Sequence, residues 1–268
     1  MKLGLCLSGG GSRGAYQIGA CMALKEAGIY DQINCYSGTS IGSVNATLLA
    51  STTIDEVKDM WFDIDGDSLK FTENFFKRLR SEKVNLIYNG VYTIRVLKEK
   101  LKKHLNIDVL RQKEVYVTIS SAGDKQGKFK ALFKSSYRHY IKKDKHAIYS
   151  PIWKEKKENI YKQIIASCSI PIAFSPVVID GNAYYDGGLF DNVPVKPLID
   201  AGCDKVIVIL LDKLPYFYKH KYPDTTFYSL KPKHSLGWLL NFSSDNSKKR
   251  YHQGYTEMNE FLKENKII

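Results

Sequence analysis

Cysteine is scarce in this chain, acidic residues are outnumbered by basic ones, and no apolar run is long enough to cross a bilayer. Each shortage excludes something. The five cysteines (Cys6, Cys21, Cys35, Cys168 and Cys203) are odd in number, sit in apolar segments and make neither a CxxC pair nor a Cys/His cluster with metal-ligand spacing. They read as small buried thiols of a reducing compartment, and neither a metal nor a disulfide framework is expected. The longest apolar stretch, Val206-Ile207-Val208-Ile209-Leu210-Leu211, falls well below the ~20 residues of a membrane-spanning helix. Before the first glycines there is no room for a charged region, an apolar core and a cleavage site, so a cytoplasmic protein without a secretory signal is expected. No Pro/Gly/Ser-rich linker interrupts the 268 residues, and no internal repeat or low-complexity tract appears.

The 28 acidic residues face 40 lysines and arginines, a formal net charge of +12 at pH 7. Lysine clusters at Lys98 to Lys103, Lys142 to Lys145, Lys154 to Lys157 and Lys248-Lys249-Arg250 carry much of it. Such runs commonly form a solvated surface. The alternative is attraction to an anionic partner. A phospholipid headgroup surface, met peripherally, fits better than nucleic acid, because no zinc-finger, RNP-type or helix-turn-helix signature accompanies the charge.

The apolar pattern predicts an α/β fold. Leu3 to Leu7 reads as a short strand, Ala15 to Ala27 as a helix stopped by Gly28, Ile33 to Tyr36 as a second strand and Val44 to Ala50 as a small-residue helix. This βαβα start implies parallel strands joined by a right-handed crossover. Thr53-Ile54-Asp55-Glu56 has capping-box spacing and opens a helix through Trp61, and Thr93 caps a basic helix to about Leu105. Val115 to Ser120 is a β-branched strand, with Lys128 to Phe133 as a candidate partner, and Asn159 to Ser167 is a helix. Val177 to Ile179 and Ala183 to Tyr185 flank the hairpin signature Asp180-Gly181-Asn182. Val195 to Ala201 reads as a helix, Lys205 to Leu211 as a strand buried on both faces, and Lys248 to Leu262 as a last helix.

Three glycine-rich segments carry the chemistry. Gly9-Gly10-Gly11-Ser12-Arg13-Gly14 follows a strand and opens a helix, so its N–H groups can hold a negatively charged oxygen. The same spacing fits a dinucleotide-binding loop, but the second strand ends in Tyr36-Ser37-Gly38-Thr39-Ser40, without the acidic residue that a ribose needs. Gly38-Thr39-Ser40-Ile41-Gly42 is a G-x-S-x-G turn between strand and helix, which projects Ser40 above the sheet as a candidate nucleophile. Ser37 and Ser43 are local rivals without flanking glycines. About thirty residues, the length of one βαβ unit, separate this turn from the glycine loop.

The base is the less obvious partner. A Ser-His-Asp triad would draw on His220, His234 or His252, all in a basic tail or on a polar helix with no strand end beside them. Asp186 ends an apolar segment and precedes Gly187 and Gly188, which permit close backbone approach; an ordinary Asp-Gly turn is the competing explanation, as it is for Asp180.

These motifs together resemble the patatin-like phospholipase family, in particular bacterial-type patatin-like acyl hydrolases. Gly9 to Gly14 resembles the family's oxyanion loop, Gly38 to Gly42 its nucleophile elbow and Asp186-Gly187-Gly188 its Asp-Gly-Gly motif. Ala166 to Pro171, Phe174-Ser175-Pro176 and Asn192-Val193-Pro194 resemble family sequence near the catalytic aspartate. The resemblance covers residues 1–212. It implies a mostly parallel open sheet with helices on both faces in three layers, a Ser40–Asp186 dyad without histidine, and an oxyanion hole at Gly10 and Gly11. Arg13 would brace the glycine loop, and no metal or cofactor would be needed. The implied reaction is hydrolysis of acyl esters of phospholipids or lysophospholipids through an acyl-enzyme. Acyl transfer to another acceptor, thioester cleavage, or non-catalytic lipid binding remain alternatives.

Residues 213–268 resemble nothing in the family and are expected to pack on the same domain as an aromatic and basic extension. Tyr216, Phe217, Tyr218, Tyr222, Phe227, Tyr228, Trp238 and Phe242 interleave with lysines there. They suit either a lipid-headgroup interface or a cover over the active-site edge of the sheet.

Overall fold

The computed structural model describes residues 2–64, 97–122, 147–171, 174–213 and 217–265. Thr93, Tyr216, the Lys142 to Lys145 cluster and the Lys128 to Phe133 strand expectation lie outside the described residues.

A chain that alternates apolar runs with helical stretches buries both faces of a central sheet. Strands β1 (Leu3–Leu7), β2 (Ile33–Thr39), β3 (Glu114–Ser121), β7 (Lys205–Ile209) and β8 (Thr226–Leu230) run parallel in the order β3-β2-β1-β7-β8. The β5 (Val177–Ile179) and β6 (Asn182–Asp186) hairpin and β4 (Ala147–Pro151) add antiparallel strands around β3. Asp180 and Gly181 both take positive φ, 47° and 81°, as a tight two-residue hairpin turn demands.

Alternation along the central strands splits the core in two. Leu3, Leu5, Leu7, Ile207 and Ile209 belong to one cluster, under α1 (Ala15–Glu26), α2 (Ile41–Leu49), α3 (Ile54–Phe62) and α7 (Ser244–Glu264). Cys6, Val206 and Val208 point the other way, with Leu198 of α6 (Lys196–Asp200) and the 193–203 segment. Helix α5 (Lys157–Ser167) packs on β3, β5 and β6, and the short α4 (Ile107–Leu110) precedes β3. The layered α/β architecture with helices on both faces is thereby present. The capping box at α3 forms: the Thr53 hydroxyl accepts from the Glu56 N–H at 3.2 Å and the Glu56 carboxylate from the Thr53 N–H at 3.1 Å.

Several boundaries differ from the sequence expectations. Strand β2 runs on from Tyr36 to Thr39, directly into the turn that carries Ser40, and α2 starts at Ile41 rather than Val44. Strand β7 stops at Ile209, and α7 begins four residues before Lys248. Strands β4 and β8 escaped the pattern. β4 is a mixed apolar and polar segment, and β8 lies in the aromatic tail, where lysines and prolines hide the alternation. The tail thus contributes a sheet strand beside β7 and a helix against α1. Helices α1 and α7 touch at the backbone: a Cβ on Gly19 would lie 1.9 Å from the Tyr251 carbonyl oxygen, and one on Gly254 would lie 2.0 Å from that of Tyr16.

Candidate active site

The parallel strands end in a cleft lined by Gly9, Gly10, Gly11, Ser40, Asp186 and Asn192, about 280 Å³ in volume. Ser40 stands at the N-cap of α2 with φ 54° and ψ −127°, a conformation that costs a non-glycine residue on the order of 1–3 kcal/mol and lifts its side chain off the strand. The flanking glycines make that turn sterically feasible. A Cβ on Gly38 would sit 2.2 Å from the Gly42 carbonyl oxygen, and one on Gly42 would sit 2.2 Å from that of Leu7. The rival serines are buried and committed elsewhere. Ser37 donates to the Pro194 carbonyl at 2.7 Å and Ser43 to the Ser40 carbonyl at 2.6 Å.

What brings Asp186 to Ser40 is sheet register. Thr39, the last residue of β2, pairs with Thr118 of β3, and Asp186, the last of β6, pairs with the next β3 residue, Ile119. Strand β4 overlaps both registers and therefore holds the opposite edge of β3. So β6 takes up the edge that β2 vacates where the chain turns into the elbow, and the two strand ends abut. Gly187 permits the approach, because a Cβ there would lie 2.8 Å from the Thr118 backbone.

Asp186 is buried, with a carboxylate oxygen accepting the Gly188 N–H at 2.7 Å and its own N–H donating to the Ser169 carbonyl at 2.9 Å. Burial pushes its carboxyl up to about 7, against smaller downward pulls from the Gly188 N–H and the Ser40 hydroxyl. A carboxyl that titrates near neutrality, in the same cleft as a serine hydroxyl, is suited to receive that serine's proton. His220, His234 and His252 are exposed and do not line the cleft.

The glycine loop is held from below by a buried polar chain. The Leu211 N–H donates to the Ser8 hydroxyl at 2.9 Å, Gln17 donates to the Ser8 carbonyl at 2.8 Å, Asn45 to Gln17 at 2.8 Å, and the Trp61 indole to Asn45 at 3.0 Å. The N–H groups of Gly9, Ser12 and Arg13 donate to the carbonyls of Asn192, Leu239 and Gly10. Between them, those of Gly10 and Gly11 have no acceptor among the described residues, at the mouth of the helix turn beside Ser40. Gly14 sits where a Cβ would lie 2.6 Å from the Trp61 ring. Arg13 donates to the Gly237 carbonyl at 3.0 Å and the Leu211 carbonyl at 3.2 Å, and pairs with Asp212 at 3.5 Å.

Sequence reasoning assigned no role to several residues that shape this site. Ser167 accepts the Ser40 N–H at 2.9 Å and donates to the Thr118 carbonyl at 2.7 Å, linking the elbow to β3. Thr39 donates to the Asp191 carbonyl at 2.9 Å, while the Asp191 carboxylate accepts from Tyr149 at 2.6 Å and the Val193 N–H at 3.0 Å. Burial, offset by those two donors, raises the Asp191 carboxyl above the ordinary range. The one sequence signal was that Ser167 and Asn192 fall inside the segments resembling family sequence around Asp186.

Beside Ser40 an apolar cavity of about 110 Å³ runs between Ile41, Val44, Met60, Trp61, Cys168 and Phe242. Its lining is almost wholly apolar, as an acyl chain requires. A larger cavity of about 900 Å³ opens at the other end of the strands and contains neither Ser40 nor Asp186. Among the described residues no group of three or more His, Cys, Asp or Glu side chains could hold a metal ion. No described helix is long and apolar enough to cross a membrane.

Fold and cleft define an α/β scaffold in which an elbow serine, a glycine loop and a buried carboxylate converge. A sequence model of the patatin-like phospholipase family matches residues 5–199, and the chain belongs to that family of lipid acyl hydrolases, whose substrates are lipids. It is 30% identical over 251 residues to an uncharacterized protein of Acanthamoeba polyphaga mimivirus, spanning 90% of this chain and 76% of that one. A probable lipid hydrolase of Invertebrate iridescent virus 6 is 29% identical over 71% of this chain and 61% of its own length. Lysophospholipase NTE1 of Cryptococcus neoformans is 26% identical over 91% of this chain, which spans only 13% of that protein. The fold is similar to VipD from Legionella pneumophila, with a TM-score of 0.51 and 14% identity over 98% of this chain and 67% of VipD. It is also similar to the solved SpcU–ExoU complex from Pseudomonas aeruginosa, at 0.52 and 16%, over 98% and 52%.

Proposed function

We propose that this chain hydrolyses acyl esters of phospholipids or lysophospholipids through Ser40 and Asp186. The observation that carries the reading is the shared edge of β3, which sets the raised-pKa carboxylate of Asp186 against the elbow serine. The likeness to a fungal lysophospholipase supports the choice of lipid ester. Ser40 Oγ attacks the ester carbonyl carbon while its proton passes to Asp186. The tetrahedral oxyanion is held by the Gly10 and Gly11 N–H groups. Collapse breaks the ester bond, the departing alcohol takes the proton from Asp186, and the acyl group remains on Ser40. Water then attacks this acyl-enzyme, gives its proton to Asp186, and releases the fatty acid as the proton returns to Ser40. The apolar cavity beside Ser40 accepts the acyl chain. Residues 213–268 serve this same unit, since β8 and α7 complete the sheet edge and the helical layer.

A fluorophosphonate probe tests the assignment. Wild type is expected to be labelled and to release fatty acid from lysophospholipid, and Ser40→Ala to do neither. Labelling of another serine in the Ser40→Ala variant would overturn it.

A further inference from the structure

Arg250, in the first half of α7, is 4% exposed, and among the described residues no carboxylate pairs with it. Each of its three guanidinium nitrogens instead donates to oxygen acceptors. Nε donates to the Leu236 carbonyl at 2.8 Å and Nη2 to the Trp238 carbonyl at 3.2 Å. Nη1 donates to the Ser12 carbonyl at 2.9 Å, the Ser12 hydroxyl at 3.0 Å and the Asn241 carbonyl at 3.0 Å. Ser12 belongs to the glycine loop, immediately after Gly11. The 236–241 segment gathered by the same guanidinium returns two further bonds to that loop: the Ser12 N–H donates to the Leu239 carbonyl at 2.7 Å and the Ser12 hydroxyl to the Trp238 carbonyl at 3.1 Å. The Leu239 carbonyl oxygen comes so close that a Cβ on Gly11 would lie 2.2 Å from it.

We infer that Arg250 is a positioning residue for the oxyanion site, fastening Ser12 to the 236–241 segment so that the Gly10 and Gly11 N–H groups stay aimed at the reacting carbonyl oxygen. The inference rests on the Ser40 and oxyanion-loop reading above. Two physical arguments carry it. A planar fork satisfied by carbonyls of two separate chain segments fixes their relative placement, which a flexible ammonium cannot do. A buried cation without a carboxylate also leaves its field uncancelled beside the place where negative charge develops, where a low-dielectric surrounding makes it count. Burial, reinforced by nearby Arg13, lowers the Arg250 pKa to about 10, so the charge persists at neutral pH. The tail thus contributes to catalysis from behind the loop, without touching the substrate.

The test compares Arg250→Met, Arg250→Lys and Ser12→Ala with wild type in soluble p-nitrophenyl ester hydrolysis, fluorophosphonate labelling and binding of a trifluoromethyl ketone that forms an oxyanion adduct on serine. Arg250→Met is expected to lower kcat about tenfold or more with KM within twofold, and to weaken the ketone in proportion to kcat. Arg250→Lys, which keeps charge but not the fork, should fall nearly as far. Ser12→Ala should lose several-fold, and its combination with Arg250→Met less than the product of the two losses. Folded Arg250→Lys and Ser12→Ala with kcat and ketone affinity within twofold of wild type would overturn the inference, even if Arg250→Met fails to fold. Wild type that neither hydrolyses esters nor labels at Ser40 would overturn the parent reading and this one together, whereas unchanged variants of a labelled, active wild type sink this one alone.

Discussion

Replacing Asp186 by asparagine should separate two quantities that its carboxylate ties together, catalysis and stability. Burial raises the Asp186 carboxyl from its ordinary 3.8 to about 7. As the proposed base it would act only when ionised, so kcat/KM should rise with pH and reach half its plateau near pH 7. At pH 5 about 1% is ionised, and the rate should lie about 100-fold below the plateau. Stability runs in the opposite sense. The folded state holds this proton more tightly than the unfolded chain, so the favourable contribution is complete below pH 3.8 and is lost as pH rises through about 7. Above that the fold carries an ionised buried carboxylate, a cost bounded by about 4 kcal/mol. Asp186→Asn should therefore lose at least about 10² in turnover yet gain on wild type in urea unfolding between pH 5 and pH 8. A carboxyl ionises with little enthalpy, unlike imidazole, so the acid limb should hardly move with temperature. An acid limb near pH 4, a limb that shifts strongly on warming, or abolition of hydrolysis by His220→Ala, His234→Ala or His252→Ala in folded protein would refute the reasoning.

Three further outcomes are expected. Gly42→Ala places a Cβ 2.2 Å from the Leu7 carbonyl oxygen, so the elbow must distort; fluorophosphonate labelling should fall away and the urea midpoint drop by the equivalent of roughly 1–3 kcal/mol, whereas retained labelling would show that the close approach is dispensable. Ser167→Ala strips the Ser40 N–H of its acceptor, so kcat should fall about tenfold, by the roughly 1–2 kcal/mol of an unsatisfied buried donor, with KM little changed; steady-state kinetics decides. Ile170, Leu189 and Trp238 are 37%, 43% and 49% exposed, the first two rim the Ser40 cleft, and the chain carries a formal net charge of +12, so binding to anionic vesicles should exceed binding to zwitterionic ones and weaken with salt in a sedimentation assay, and equal or absent binding to both would assign these side chains to soluble lipid monomers instead.

The tail shows where sequence patterning ran short. Its aromatics divide: Phe217, Tyr222 and Phe227 pack against the cluster around Leu198, Tyr228 and Phe242 against the other, while Tyr218 and Trp238 stay exposed. Most of the row is therefore sheet cover, and among its described residues only the Tyr218 and Trp238 side chains keep a large exposed area, 63% and 49%. Composition could not separate these roles, because a ring half-buried on an edge strand and a ring at an interface look alike in a lysine-rich stretch. Likewise β4 reads as a short mixed segment without a strand signature, since its pairing with β3 is a property of the partner strand.

Local chemistry determined the rest of what could be read directly. A glycine pair flanking Ser40, a glycine run before α1 and a capping box at Thr53 are each decided within a few residues of chain, by sterics and backbone donors that have no other outlet. Only tertiary structure decided that Asp186 follows Thr39 along one edge of β3, that Ser167 reaches the Ser40 N–H from α5, and that Arg250 reaches Ser12 across 238 residues of sequence. These juxtapositions depend on strand order and register among distant segments, where the energy comes from pairing and burial shared between partners, and no single stretch of sequence holds that information.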